Sequence, residues 1–102
     1  MPGISRHGDL ARTGHLCTVV VPVMATQSTV FSNGIPILRQ GDPTKPHTIR
    51  VPCPPTFCCV GHKAKVNRGS QTVFSQGIPV ARRGDSTDKG RLIQSSFNVF
   101  AG

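Results

Sequence analysis

Eight His and Cys side chains are this sequence's candidate ligands for a transition metal: His7, His15, Cys17, His47, Cys53, Cys58, Cys59 and His62. Their spacing separates them. His15 follows Gly8-Asp9 by a few residues, and His47 follows Gly41-Asp42 in the same way. His62 closes the step Cys59-Val60-Gly61-His62, in which a thiolate and an imidazole lie close enough in sequence to reach one tetrahedral ion. Three imidazoles with one thiolate suit Zn²⁺ by ligand type, and iron less well. The residues therefore predict a site of His15, His47, His62 and Cys59, with Cys53 as the alternative thiolate and Cys58, next to Cys59, turned away. The zinc-finger arrangement of two close Cys, a spacer and two close His is absent. His7 has no counterpart in the other repeats and is read as a surface residue. Cys17 sits in the run Cys17-Thr18-Val19-Val20 and is expected to pack as a small hydrophobe. With no signal-peptide core near the N-terminus, the chain is expected to be made in the cytoplasm. Four cysteines there predict metal binding or free thiols rather than disulfides.

An internal repeat must position these groups. Thr29-Val30-Phe31-Ser32-Asn33-Gly34-Ile35-Pro36-Ile37-Leu38-Arg39-Gln40-Gly41-Asp42 returns 43 residues later, from Thr72 to Asp85, with ten of fourteen positions identical. A fragment, Ser96 to Gly102, closes the chain, and Gly8-Asp9 stands where a unit would end. Val-Phe and Ile-Pro-Ile/Val flanking Ser-Asn-Gly or Ser-Gln-Gly read as β-hairpins, with Gly at the positive-φ position. The Pro within the second strand removes a donor and belongs at an edge. Each Asp after Gly (Asp9, Asp42, Asp85) is read as a turn cap, its side chain accepting backbone N–H groups. No unit can bury a core alone, so the units pack on one another as one domain over residues 1–102. Hairpins are expected near 27–42 and 70–85 and a partial unit at 95–102, with a long middle loop over 43–69 that needs a staple. In such a stack equivalent loops meet at one end, which would bring His15, His47 and His62 together.

Composition narrows the function. With 11 Gly, 9 Pro, no Trp, no Tyr and five Phe among 102 residues, long helices and a large aromatic core are excluded. Twelve Lys and Arg against four Asp give +8, which favours an anionic partner. Nucleic-acid binding by a small basic Cys/His zinc module is the alternative reading. It is disfavoured because the cations are scattered and stacking aromatics are nearly absent. There is no Glu, no paired carboxylate, no Gly-x-Ser-x-Gly and no C-x-x-C, so an enzyme is not expected.

These motifs resemble the PAAR-repeat family. The resemblance rests on Met1-Pro2-Gly3 with Gly8-Asp9, on the two long units, and on the ending Ser95-Ser96-Phe97-Asn98-Val99-Phe100-Ala101-Gly102. The name-giving Pro-Ala-Ala-Arg stands here as Pro36-Ile37-Leu38-Arg39 and Pro79-Val80-Ala81-Arg82. The resemblance implies a small all-β cone of stacked hairpins with pseudo-threefold symmetry. Its base would sit, one copy per trimer, on the blunt end of a β-helical spike of a phage tail baseplate or type VI secretion machine. Its apex would carry zinc on three His and one Cys and pierce the target cell envelope. Such relatives often place the Cys in the last repeat just before a Gly. Lys89-Gly90 stands there in this chain, so the thiolate is expected from the middle segment.

Overall fold

The computed structural model describes residues 1–102 and contains ten short strands and no helix. They are β1 (Leu10–Arg12), β2 (Val20–Pro22), β3 (Phe31–Ser32), β4 (Ile35–Pro36), β5 (His47–Cys53), β6 (Thr56–His62), β7 (Phe74–Ser75), β8 (Ile78–Pro79), β9 (Ser86–Thr87) and β10 (Gly90–Leu92). All pairings are antiparallel: β2-β1-β10-β9 make one sheet, and β3-β4, β5-β6 and β7-β8 are separate hairpins. The chain is all-β, as its composition requires.

The repeated hairpins close on two-residue turns. Asn33 and Gly34 have φ of 56° and 76°, and Gln76 and Gly77 have 53° and 79°. Two successive positive φ values give the turn whose twist matches paired strands. Asn or Gln thus shares the left-handed region with Gly.

Three equivalent lobes follow from the repeat, and backbone hydrogen bonds make the symmetry concrete. Ser5 N–H donates to the Ala81 carbonyl (3.1 Å), Leu38 N–H to that of Ser5 (2.9 Å), and Ala81 N–H to that of Leu38 (2.9 Å). This closed ring joins the three lobes around one axis. Beside it each Gly-Asp turn is built the same way. The Arg6, Arg39 and Arg82 N–H groups each donate to Oδ2 of the Asp three residues on, all at 2.8 Å. The Asp residues are turn caps, and each is buried. The partial third unit completes the figure: Ser96 Oγ accepts the N–H groups of Asn98 and Val99, as Ser70 Oγ accepts those of Thr72 and Val73.

Two small apolar layers lie on the axis. One contains Ile4, Ile37, Val80 and Ala101, with Val73 and Val99 packed against it. The next contains Ala11, Val23, Leu38, Val66, Ala81 and Leu92. Consecutive residues (Ile37 then Leu38, Val80 then Ala81) pass from one layer to the next. Each lobe therefore runs from its hairpin, through both layers, to its Gly-Asp turn.

The middle segment differs from expectation. Most of the loop expected over 43–69 is a seven-pair hairpin, from His47 opposite His62 to Cys53 opposite Thr56. The five prolines of this region masked its strand pattern, although Thr48-Ile49-Arg50-Val51 and Thr56-Phe57 are good strand formers. Leu16–Thr18 lies along β5, with Arg50 N–H donating to the Leu16 carbonyl and Thr18 N–H to that of Thr48. The hairpin makes the molecule long, with extents of 48 × 23 × 21 Å.

Candidate metal centre

The hairpin register sets two of the site residues. His47 opens β5 and His62 closes β6, and the two face each other across the pair. His15 comes from the loop after β1, shaped by the buried Thr13, whose Oγ1 donates to the Thr18 carbonyl (2.6 Å) and accepts the His15 N–H (3.3 Å). The structure thus brings His15, His47 and His62 together. Their ring centroids lie 5.0–5.2 Å apart.

The fourth member is Asp88, in the turn between β9 and β10, with φ of 56°. Asp tolerates this left-handed position better than most residues. Lys89 N–H donates to the Thr13 carbonyl (3.0 Å), which docks this turn beside the His15 loop. Gly90 permits the approach, because a Cβ there would fall on the Arg12 carbonyl. Asp88 Oδ2 lies 2.7 Å from His15 Nε2 and 3.0 Å from His47 Nε2, and Oδ1 lies 3.2 Å from His62 Nε2. One ligand atom from each of the four residues fits within a mutual distance of 4.8 Å.

These atoms are arranged as metal ligands are. His47 Nδ1–H donates to the Lys45 carbonyl (2.9 Å) and His15 Nδ1–H to the Leu16 carbonyl (3.1 Å). In a neutral imidazole that leaves Nε2 as a lone pair, turned into the cluster, which is the usual support for a ligating histidine. Two such lone pairs, 3.3 Å apart on His15 and His47, face a carboxylate. Only positive charge between them makes this favourable. A tetrahedral ion with bonds of about 2.0–2.1 Å separates its ligands by roughly 3.3 Å, close to the spacings seen. With no ion present and a proton on Nε2 instead, burial pushes the Asp88 carboxyl up, but hydrogen bonds from His15, His62 and His47 together outweigh it and hold it below the ordinary carboxylate value.

The cysteines are elsewhere. Cys17 is bonded to Cys59 and Cys53 to Cys58, and no thiol is free. Neither Cys59 nor Cys53 is in the cluster, which corrects the expected thiolate. Cys17 is exposed and cross-linked rather than packed in the core. The reason lies in strand alternation: adjacent Cys58 and Cys59 point to opposite faces of β6, so each takes a different partner. Asp88 carried a signal that sequence reading passed over. It alone among the four Asp does not follow Gly, and it lies in Ser86-Thr87-Asp88-Lys89-Gly90, a turn-forming run before a strand.

The fold and the site define a class: a three-lobed, all-β repeat protein with a partly buried three-His, one-carboxylate cluster able to hold a metal ion. A family model, the PAAR motif, matches residues 13–95. The chain belongs to that family, which is structural rather than catalytic and supplies spike-tip proteins of contractile injection systems. No curated protein is similar enough to the chain to be matched to it.

Proposed function

We propose that this protein caps the blunt end of a trimeric β-helical spike, one copy per trimer, and sharpens it for passage through a target cell envelope. It acts without catalysing a reaction. The observation that carries this reading is the threefold apolar base. Phe31, Phe74 and Phe100 occupy equivalent places in the three lobes and are 52%, 54% and 49% exposed. Phe31 and Phe74 rim a shallow hollow of about 340 Å³ that also contains Val30, Val73 and Val99. Equal exposure of a large aromatic residue at three equivalent positions is costly on a free surface and fits a partner with a true threefold axis. The short hairpins β3-β4 and β7-β8 also leave strand edges there on which the spike's strands can continue.

At the other end, His15, His47, His62 and Asp88 would hold one structural Zn²⁺. The ion supplies a cross-link between the β1 loop, the β5-β6 hairpin and the β9-β10 turn, where apolar packing is thinnest. The part of a machine that this describes is a phage tail baseplate or a type VI secretion spike, built in the cytoplasm and delivered to the envelope.

The test mixes purified protein with a trimeric β-helical spike protein and weighs the complex by native mass spectrometry. One copy per trimer, lost in a Phe31→Asp/Phe74→Asp variant, is expected. Three copies per trimer, or a complex indifferent to that change, would refute the reading.

A further inference from the structure

The metal cluster is not the end of the molecule. The β5-β6 hairpin starts at His47 and His62 and runs on beyond them for six residue steps per strand, about 20 Å at the usual rise. Among its sixteen residues, His47 to His62, Arg50 is the only Lys, Arg, Asp or Glu. Phe57 is 56% exposed and Val60 42%, and beside them Leu16 is 51% exposed.

Much of the hairpin's backbone is paired within the protein, the outer edge of β6 being the exception. An inserted segment must satisfy its own polar groups. The ladder pairs seven residues on each strand, and Leu16–Thr18 covers part of the outer edge of β5. At the tip, Pro52, Pro54 and Pro55 have no N–H to satisfy. Cys53–Cys58 closes the tip, and Cys17–Cys59 anchors the hairpin to the body. The Arg50 guanidinium lies 4.0 Å from the centroid of the Phe57 ring, a long side chain folded along apolar surface.

A collar of charge surrounds the hairpin's root. Each residue of the metal cluster has a cation close in sequence: Arg12 before His15, Lys45 before His47, Lys63 after His62 and Lys89 after Asp88. No carboxylate side chain balances them, because Asp9, Asp42 and Asp85 are buried turn caps and Asp88 faces the histidines.

We infer that the hairpin His47–His62 is a lipid-inserting beak: it enters the apolar part of an anionic bilayer while Arg12, Lys45, Lys63 and Lys89 take up lipid phosphate at its root. The dimensions agree. The hydrocarbon core is about 30 Å thick, so a projection of about 20 Å passes one leaflet and stops short of the far side. This partner is distinct from the spike, and the inference does not rest on the docking of the base.

The test uses the full, oxidised, zinc-supplemented chain and co-sedimentation with vesicles of phosphatidylcholine alone or mixed with phosphatidylglycerol. The chain has no Trp, so Phe57→Trp adds a reporter, read by its emission shift and by quenching with lipids brominated in the acyl chain. Binding to the anionic vesicles with a blue shift and acyl-chain quenching is expected. Phe57→Asp should weaken binding about tenfold or more, as should Lys45→Glu/Lys63→Glu, since each cation near an anionic surface adds severalfold in affinity. Phe97→Asp, at a residue 92% exposed and outside the hairpin, should bind as wild type does. Three results would overturn the inference: no binding to anionic vesicles, indole emission of the Phe57→Trp variant unchanged by lipid, or wild-type binding by Phe57→Asp. The last would leave only non-specific adsorption of a basic protein, which duplex DNA would abolish equally well in every variant.

Discussion

Replacing Asp88 by Ala separates the carboxylate site from any thiolate site. Asp88 supplies one of four ligand atoms and the cluster's only negative charge. Losing a residue that merely supports a ligand costs about 10–100-fold in metal affinity, so losing the ligand itself should cost at least about 100-fold. At a free zinc concentration of about 1,000 times the wild-type Kd, binding stabilises the folded chain by about 4.1 kcal/mol; a 100-fold weaker variant gains only about 1.4 kcal/mol. The difference of about 2.7 kcal/mol corresponds to roughly 10–20 °C in Tm for a domain of this size. The assay is thermal unfolding in buffered zinc and again in chelator. The quantity compared is the zinc-induced rise in Tm, so the loss of Asp88's own hydrogen bonds largely cancels. Asp88→Cys should keep most of the rise, because a thiolate is a good zinc ligand. If Asp88→Ala kept the full rise while Cys17→Ala/Cys59→Ala lost it, the carboxylate site would be wrong and a thiolate from the hairpin would be the fourth ligand.

Further outcomes follow from the same geometry. Reducing and alkylating all four cysteines should leave zinc content near one equivalent by elemental mass spectrometry, since no ligand is sulfur; His47→Ala should abolish it. In the metal-free chain, Asp88 has its carboxyl held below the ordinary value. Its contribution is therefore fully present above about pH 4, the unfolded carboxylate value, and is lost as pH falls through the lower folded value; Asp88→Asn should flatten that part of a chemical-denaturation pH profile. Leu38→Ala, at a fully buried residue between lobes, should cost about 2–5 kcal/mol by urea unfolding. Gly77→Ala should cost about 1–2 kcal/mol although its Cβ meets nothing within 4 Å, because φ there is +79° and the strain is in the backbone.

The fold was legible where sequence repeats act on local backbone. Ser-Asn-Gly and Ser-Gln-Gly specify their turns through positive φ, and Gly-Asp specifies its cap through one carboxylate and one N–H. Both are short-range effects that leave a fixed pattern of residue types. The convergence of His15, His47 and His62 was legible at one remove, because equivalent loops of a stacked repeat must meet. What escaped was long-range or outside the repeat. Asp88 is 73 residues from His15, and its role depends on a left-handed turn docked against the Thr13 loop. The β5-β6 hairpin has no copy elsewhere in the chain, and its prolines read as loop. The disulfide partners depend on which face of a strand each cysteine takes, and the proline-rich segment hides the strand itself.

The position of the cross-links explains how so small a chain could act as a rigid point. Its core is two layers of four and six residues, and no aromatic side chain is buried in either. Such layers resist compression along the axis, where each lobe bears on the next through the Ser5–Leu38–Ala81 ring. They cannot resist bending of a hairpin that projects about 20 Å past them, estimated at the usual strand rise. Bending is opposed at the root instead. Cys17–Cys59 ties the hairpin to the loop that carries His15, and a metal on His15, His47, His62 and Asp88 would tie that loop, both hairpin strands and the β9-β10 turn together. The two cross-links act at different heights on the same projection. A single pivot lets a rod rotate, whereas two separated attachments do not. Removing either link should therefore loosen the hairpin, read as faster amide exchange between Thr48 and Val60, while the Ser5–Leu38–Ala81 ring stays protected. Equal loss of protection in the hairpin and in the ring would instead mean that the links hold up the whole fold.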